Sequence, residues 1–101
     1  MGNVMNAAEN EVIRGEILEL CRQAAPYGAG TPVLKAALRK NGYELAEEEL
    51  LIQIEYLKGK GLVKTQEVQN RRLHIDRLIV SLTPEGIDYL DGNGPDITGV
   101  D

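Results

Sequence analysis

A chain of 101 residues, 43% of them hydrophobic, is one small globular domain rather than a disordered segment, with enough length for a single modest core. That core has to be aliphatic, since Phe and Trp are absent and the four aromatic residues are all Tyr. A formal charge of −5 and a pI near 4.9 weigh against DNA as a partner unless the few cations are gathered on one face, because a duplex is held largely by neutralising its phosphates.

No run of about 18 apolar residues predicts a membrane span. The opening MGNVMNAAENE lacks the basic and apolar regions of a signal peptide, and Asn6 stands where a myristoylation signal wants Ser or Thr. The expected setting is the cytoplasm, with no membrane partner. Cys21 is the single cysteine, which leaves no internal disulfide and no cysteine-based zinc site.

In chain order, residues 1–8 are expected to be a loose lead-in. Over residues 9–25, Ile13, Ile17, Leu20, Cys21 and Ala24 fall at i, i+4, i+7, i+8 and i+11, which predicts an amphipathic first helix. Glu9 and Glu11 suit its positive end, and Pro26 with Gly28 and Gly30 stops it. Thr31-Pro32 predicts the start of a second helix, with Thr31 as N-cap and Pro32 at the first helical position. Leu34, Ala37 and Leu38 point inward from that helix, and Asn41-Gly42 closes it.

Residues 46–64, AEEELLIQIEYLKGKGLVK, organise the rest. Leu50, Leu51, Ile54 and Leu57 draw one apolar stripe along a third helix. It starts without a Ser, Thr, Asp or Asn cap, and Glu47, Glu48 and Glu49 compensate through the dipole. Gly59 and Gly61 bracket Lys60, where a left-handed stop and a cation both suit a helix C-terminus.

Residues 62–68 then read as a strand and 73–82 as its partner, with Leu78, Val80 and Leu82 on one face by period two. The polar Gln69-Asn70-Arg71-Arg72 is the turn between them. Thr83-Pro84 repeats the cap-plus-proline signal for a short fourth helix with apolar contacts from Ile87 and Leu90. Gly86 lets that helix approach the sheet closely. A short strand near residues 28–31 is expected to pair with the hairpin. The domain is expected to span residues 9–91, and 92–101 to be an extended or mobile tail.

Gly61-Leu62-Val63 at the end of the third helix, with Leu82-Thr83-Pro84-Glu85-Gly86 after the second strand, resembles the winged helix-turn-helix superfamily of the arsenic-repressor type. There a GLV entry to the wing and an LTxxG exit from it recur together. The fold this implies is α+β and mainly α, in the order helix, helix, helix, strand, strand, helix, with a two-stranded β-hairpin wing. The opening helix, the glycine-containing loop, Asn41-Gly42-Tyr43 and the closing Gly99-Val100 are also similar to the small winged-helix proteins of Mu-like prophages. In DNA-binding relatives the first turns of the third helix carry Ser, Thr, Arg or Gln facing the major groove. Those positions here hold Ala46, Glu47, Glu48, Leu51, Ile52 and Gln53, of which Gln53 alone has the chemistry of a base reader. Carboxylates there repel phosphates, which argues against sequence-specific readout.

Two surfaces are therefore candidates. The first is a protein-partner face on the third helix, with Ile52 and Tyr56 framed by Glu48, Glu49 and Glu55. The bland alternative is that both apolar residues belong to the edge of the core. The second is the wing, where Lys64, Arg71, Arg72, His74 and Arg77 are the densest cationic stretch and, with Gln53, the candidate nucleic-acid contacts. The bland alternative is a solvated hairpin whose charges suppress edge pairing or pair with Glu67 and Asp76. Lys35, Arg39 and Lys40 make a lesser basic patch that a helix C-terminus favours anyway.

Cys21 reads as a small buried hydrophobe. His74 has no metal-ligand spacing around it, and Asp91-Gly92-Asn93-Gly94 fails as a calcium loop because Pro95 replaces a ligand. No phosphate-cradling glycine motif and no nucleophile–base pair appears, so no enzyme, cofactor or small-molecule substrate is expected. The first expectation for function is a non-catalytic winged-helix module of phage or prophage type acting through a homodimer or protein partner. The alternative is a DNA-binding transcriptional regulator that uses wing arginines on double-stranded DNA.

Overall fold

Helical spacing of aliphatic side chains encloses one core in the computed structural model, which describes residues 7–92. Helix α1 (Ala7–Ala24) contributes Ile13, Ile17, Leu18 and Cys21 to it, and α2 (Thr31–Lys40) contributes Leu34 and Leu38. Leu50, Ile54 and Leu57 come from α3 (Glu47–Gly59), and Leu45 fills the turn before it. The strands β1 (Ala29–Gly30), β2 (Val63–Asn70) and β3 (Ile75–Leu82) form an antiparallel sheet in the order β1-β3-β2, and α4 (Pro84–Leu90) follows. The short first strand expected near residues 28–31 is present, pairing Ala29 with Val80 and Gly30 with Ile79. The first helix begins at Ala7, inside the stretch read as a lead-in. The rest of that lead-in, and the tail from residue 93 with Gly99-Val100, lie outside the described residues.

The join from α3 into β2 explains why two short motifs recur together. The N–H of Gly61 donates to the carbonyl of Lys58 at 3.0 Å, and that of Leu62 reaches the carbonyl of Leu57 at 3.0 Å. Gly61 itself is left-handed, with φ 78. This is a Schellman stop, and its usual apolar contact is supplied by the buried Leu57 and Leu62.

Val63 then pairs with Leu82, and the next residue, Thr83, locks onto the same joint. Its N–H donates to the Leu62 carbonyl at 3.1 Å, and its hydroxyl donates to the Gly61 carbonyl at 2.6 Å. The same hydroxyl accepts the Gly86 N–H at 3.0 Å, so Thr83 is the N-cap of α4. Gly86 lies against the Leu62 carbonyl so closely that a Cβ there would collide with it. The GLV and LTPEG segments are two halves of one hydrogen-bonded corner.

Several sequence expectations need correction. Thr31 is the buried first residue of α2 and not its cap. Gly30, extended at φ −72 and ψ 152, takes that position because pairing with Ile79 holds it in the sheet. The hairpin turn is residues 71–74 instead of 69–72, since Asn70 still pairs with Ile75. The Asn70 side chain accepts the Leu73 N–H at 3.1 Å, and left-handed His74, φ 55, completes the reversal. Leu51 and Ile87 stand outside the core, 36% and 42% exposed. The core positions on α3 are 50, 53, 54 and 57, which places Gln53 and not Leu51 on the buried stripe.

Candidate functional site

Helix α3 starts without a side-chain cap at Ala46, and Glu49 supplies what is missing. Its carboxylate accepts the Ala46 N–H at 2.8 Å, the glutamate half of a capping box. Glu49 is thereby half-buried at the start of the helix instead of standing on its open face.

Gln53 is likewise turned away from any partner. Only 3% of it is exposed, its Oε1 accepts from Arg14 Nε at 2.8 Å, and its Nε2 donates to Asn10 Oδ1 at 3.0 Å. As a base reader it is therefore corrected to a buried polar link between α3 and α1. Sequence carried a signal for this. Positions 50, 53, 54 and 57 keep the i, i+3, i+4, i+7 spacing, and Asn10 and Arg14 sit one turn apart on the facing helix. Tyr56 joins the same contact, half-buried, with the Arg14 guanidinium 3.7 Å above its ring and Lys60 Nζ at 5.4 Å.

With Glu49 and Tyr56 occupied at the edges, the open face of α3 consists of Glu48, Leu51, Ile52 and Glu55. Ile52 is 63% exposed, between carboxylates one turn before and three residues after it. Leu51, read from sequence as core, is the residue of this face that periodicity assigned elsewhere.

The wing divides its charges by period two. Lys64 pairs with Ser81 and Val68 with Arg77, which puts both cations on one face of the hairpin. Glu67 pairs with Leu78 and Gln69 with Asp76, so the carboxylates share the face of the core residue Val80. That acidic face meets α3 across a cleft of about 210 Å³ lined by Glu47, Leu51, Glu67 and Asp76, with Arg77 also reaching it. The tip carries Arg71, Arg72 and His74 around Leu73, which is 63% exposed. None of Lys64, Arg71, Arg72, His74 and Arg77 is ion-paired with a described residue, Glu67 and Asp76 included.

Lys35 and Arg39 of α2 face Glu44, Glu48 and Glu49 across an open hollow of about 620 Å³, which weakens them as a phosphate patch. Cys21 is fully buried, and burial pushes its thiol up to about 12. Among the described residues no cluster of three or more His, Cys, Asp or Glu is placed to hold a metal ion, and no helix is long and apolar enough to cross a membrane.

No protein-family model matches the chain, and no curated protein is significantly similar to it. Solved structures are. A PadR-like transcription factor from Bacteroides fragilis superposes with a TM-score of 0.70 at 18% identity, covering 84% of this chain and 79% of that one. A transcriptional regulator from Clostridium thermocellum gives a TM-score of 0.65 at 20% identity, covering 89% and 84%. The fold is a winged helix-turn-helix. In its terms α3 occupies the recognition-helix position and the β2–β3 hairpin is the wing. The likeness is one of fold; these structures carry no arsenic-repressor or prophage feature to this chain.

Proposed function

We propose that this winged helix is a DNA-binding transcription regulator that holds duplex DNA through its wing rather than through α3. One observation carries the reading: Arg71, Arg72 and His74 crowd an exposed tip, with Lys64 and Arg77 behind them, and no described carboxylate pairs with any of the five. Unpaired arginines at a hairpin tip suit phosphates or a narrow minor groove. The α3 face offers carboxylates and aliphatic groups where base readers stand, so readout in this scheme is indirect. The names of the structural neighbours, a transcription factor and a transcriptional regulator, agree with it.

The test is fluorescence anisotropy on random duplex DNA across a salt series. Binding is expected to tighten steeply as salt falls, and Arg71→Ala with Arg72→Ala to weaken it at every sequence and lower the salt slope by up to about 2. Unchanged binding by that variant removes the reading.

A second reading, a non-catalytic module of phage type that holds a protein, is favoured by Ile52, 63% exposed between Glu48 and Glu55. It predicts that Ile52→Lys abolishes capture of that protein while duplex binding is retained.

A further inference from the structure

The wing tip and the α3 face match each other. The tip is an exposed aliphatic residue, Leu73, set among Arg71, Arg72 and His74. The face is an exposed aliphatic pair, Leu51 and Ile52, set between Glu48 and Glu55, two turns or about 10 Å apart along the axis. One is the other with the charge reversed. Leu51 of the face borders a cleft whose other wall is the hairpin at Glu67 and Asp76, and the tip continues that hairpin beyond the Asn70–Ile75 pair. In an isologous dimer a two-fold axis presents the tip of each copy to the face of the other. Copies carrying a net charge of −5 repel at long range, and a contact that brings cations to carboxylates offsets this, as this one does twice.

We propose that the occupant of the α3 face is the wing tip of a second copy of this chain, in a reciprocal dimer with Leu73 against Ile52 and Arg71 and Arg72 against Glu48 and Glu55. This goes beyond the DNA reading while sharing its wing. The carboxylates of α3 take the place of phosphates, so a wing seated on a partner copy is unavailable to a duplex. Self-association and DNA binding then exclude each other.

The experiment is sedimentation velocity of the full chain without DNA, over a concentration series at low and high salt. The wild type is expected to dimerise at low salt and to dissociate as salt screens the contact. Arg71→Glu with Arg72→Glu, and separately Glu48→Arg with Glu55→Arg, are each expected to weaken dimerisation by on the order of tenfold or more. In an equimolar mixture the heterodimer keeps one wild-type contact and forms the other with its charges exchanged, and the mixture is expected to dimerise as the wild type does.

A wild type that stays monomeric throughout overturns the proposal. So do variants that dimerise normally, or a mixture that fails to dimerise while both variants keep the wild-type circular dichroism and melting temperature. No duplex is present, so the DNA reading can fail in the anisotropy experiment while the dimer stands. Conversely, a Glu48→Gln, Glu55→Gln variant removes the carboxylates of the contact without adding cations to α3 and keeps an intact wing, and duplex binding by it supports the DNA reading whether or not the wild type dimerises.

Discussion

Gln53 shows what a polar side chain does at a core position of a helix. Its amide spends both ends inside the protein, on Arg14 and Asn10. Gln53→Ala is therefore expected to cost about 1–3 kcal/mol in urea unfolding, because the partners are left buried or half-buried without their bonds. It is expected to leave duplex binding of the folded protein unchanged. Gln53 was legible as a functional candidate because amide chemistry suits base recognition. It was not legible as core because Leu50, Leu51, Ile54 and Leu57 already complete one apolar stripe, and a polar amide between them does not register in an apolar pattern. Cys21 was legible, since it falls on the buried stripe of α1, and its environment has a measurable pH consequence. The folded thiol, raised to about 12 from its ordinary 9.0, keeps its proton where the unfolded thiol has lost it. The native state thus binds more protons in this window. The thiol's contribution to stability is complete below about pH 9 and declines as pH rises from there to 12, by up to about 1.4 kcal/mol per pH unit. Urea midpoints taken between pH 8 and 10.5 are expected to fall more steeply for the wild type than for Cys21→Ala, which lacks this group while the tyrosines and lysines titrate in both.

Among the elements, the corner where α3, β2 and α4 meet was the best read from sequence, and the reason is physical. Its residues are types that few others replace: a left-handed glycine, a hydroxyl that caps and bridges at once, a proline at the first helical position, and a glycine pressed against a carbonyl. Thr83 makes three of the corner's hydrogen bonds through its N–H and hydroxyl. Thr83→Val keeps the shape and deletes the hydroxyl, and is expected to lower stability by about 1–2 kcal/mol in chemical denaturation, whereas Thr83→Ser retains most of it. A Val variant as stable as the wild type would show that the cap and the bridge contribute nothing net. Hairpin ends were read less well, by two residues, because Asn70 and His74 set the turn through a side-chain acceptor and a left-handed backbone that polarity alone does not reveal. The start of α3 was misjudged for a similar reason. Glu49 caps from inside the helix, three residues after the position at which a Ser, Thr, Asp or Asn cap stands.

For the whole molecule, net charge is a poor guide and its distribution a good one. Carboxylates gather on α3 and the inner face of the wing, and cations gather at the wing tip, so an acidic protein presents a concentrated basic point. The cationic stretch was legible as a run in the sequence. The division of acid and base between the two faces of the hairpin was not, because it depends on a register that only the paired strands define. The sheet has a further property. Strand β1 ends at Gly30, opposite Ile79, so the base of the hairpin is braced by a third strand, while from Leu78 outward two strands alone carry the tip. The wing is a cantilever, braced by the third strand as far as Ile79 and by the core contact of Leu78, with two strands alone beyond them. Its arginines can swing through an arc while the corner at Thr83 stays fixed, which decouples the reach of the tip from the integrity of the core and leaves the outer amides the first to exchange their protons with solvent.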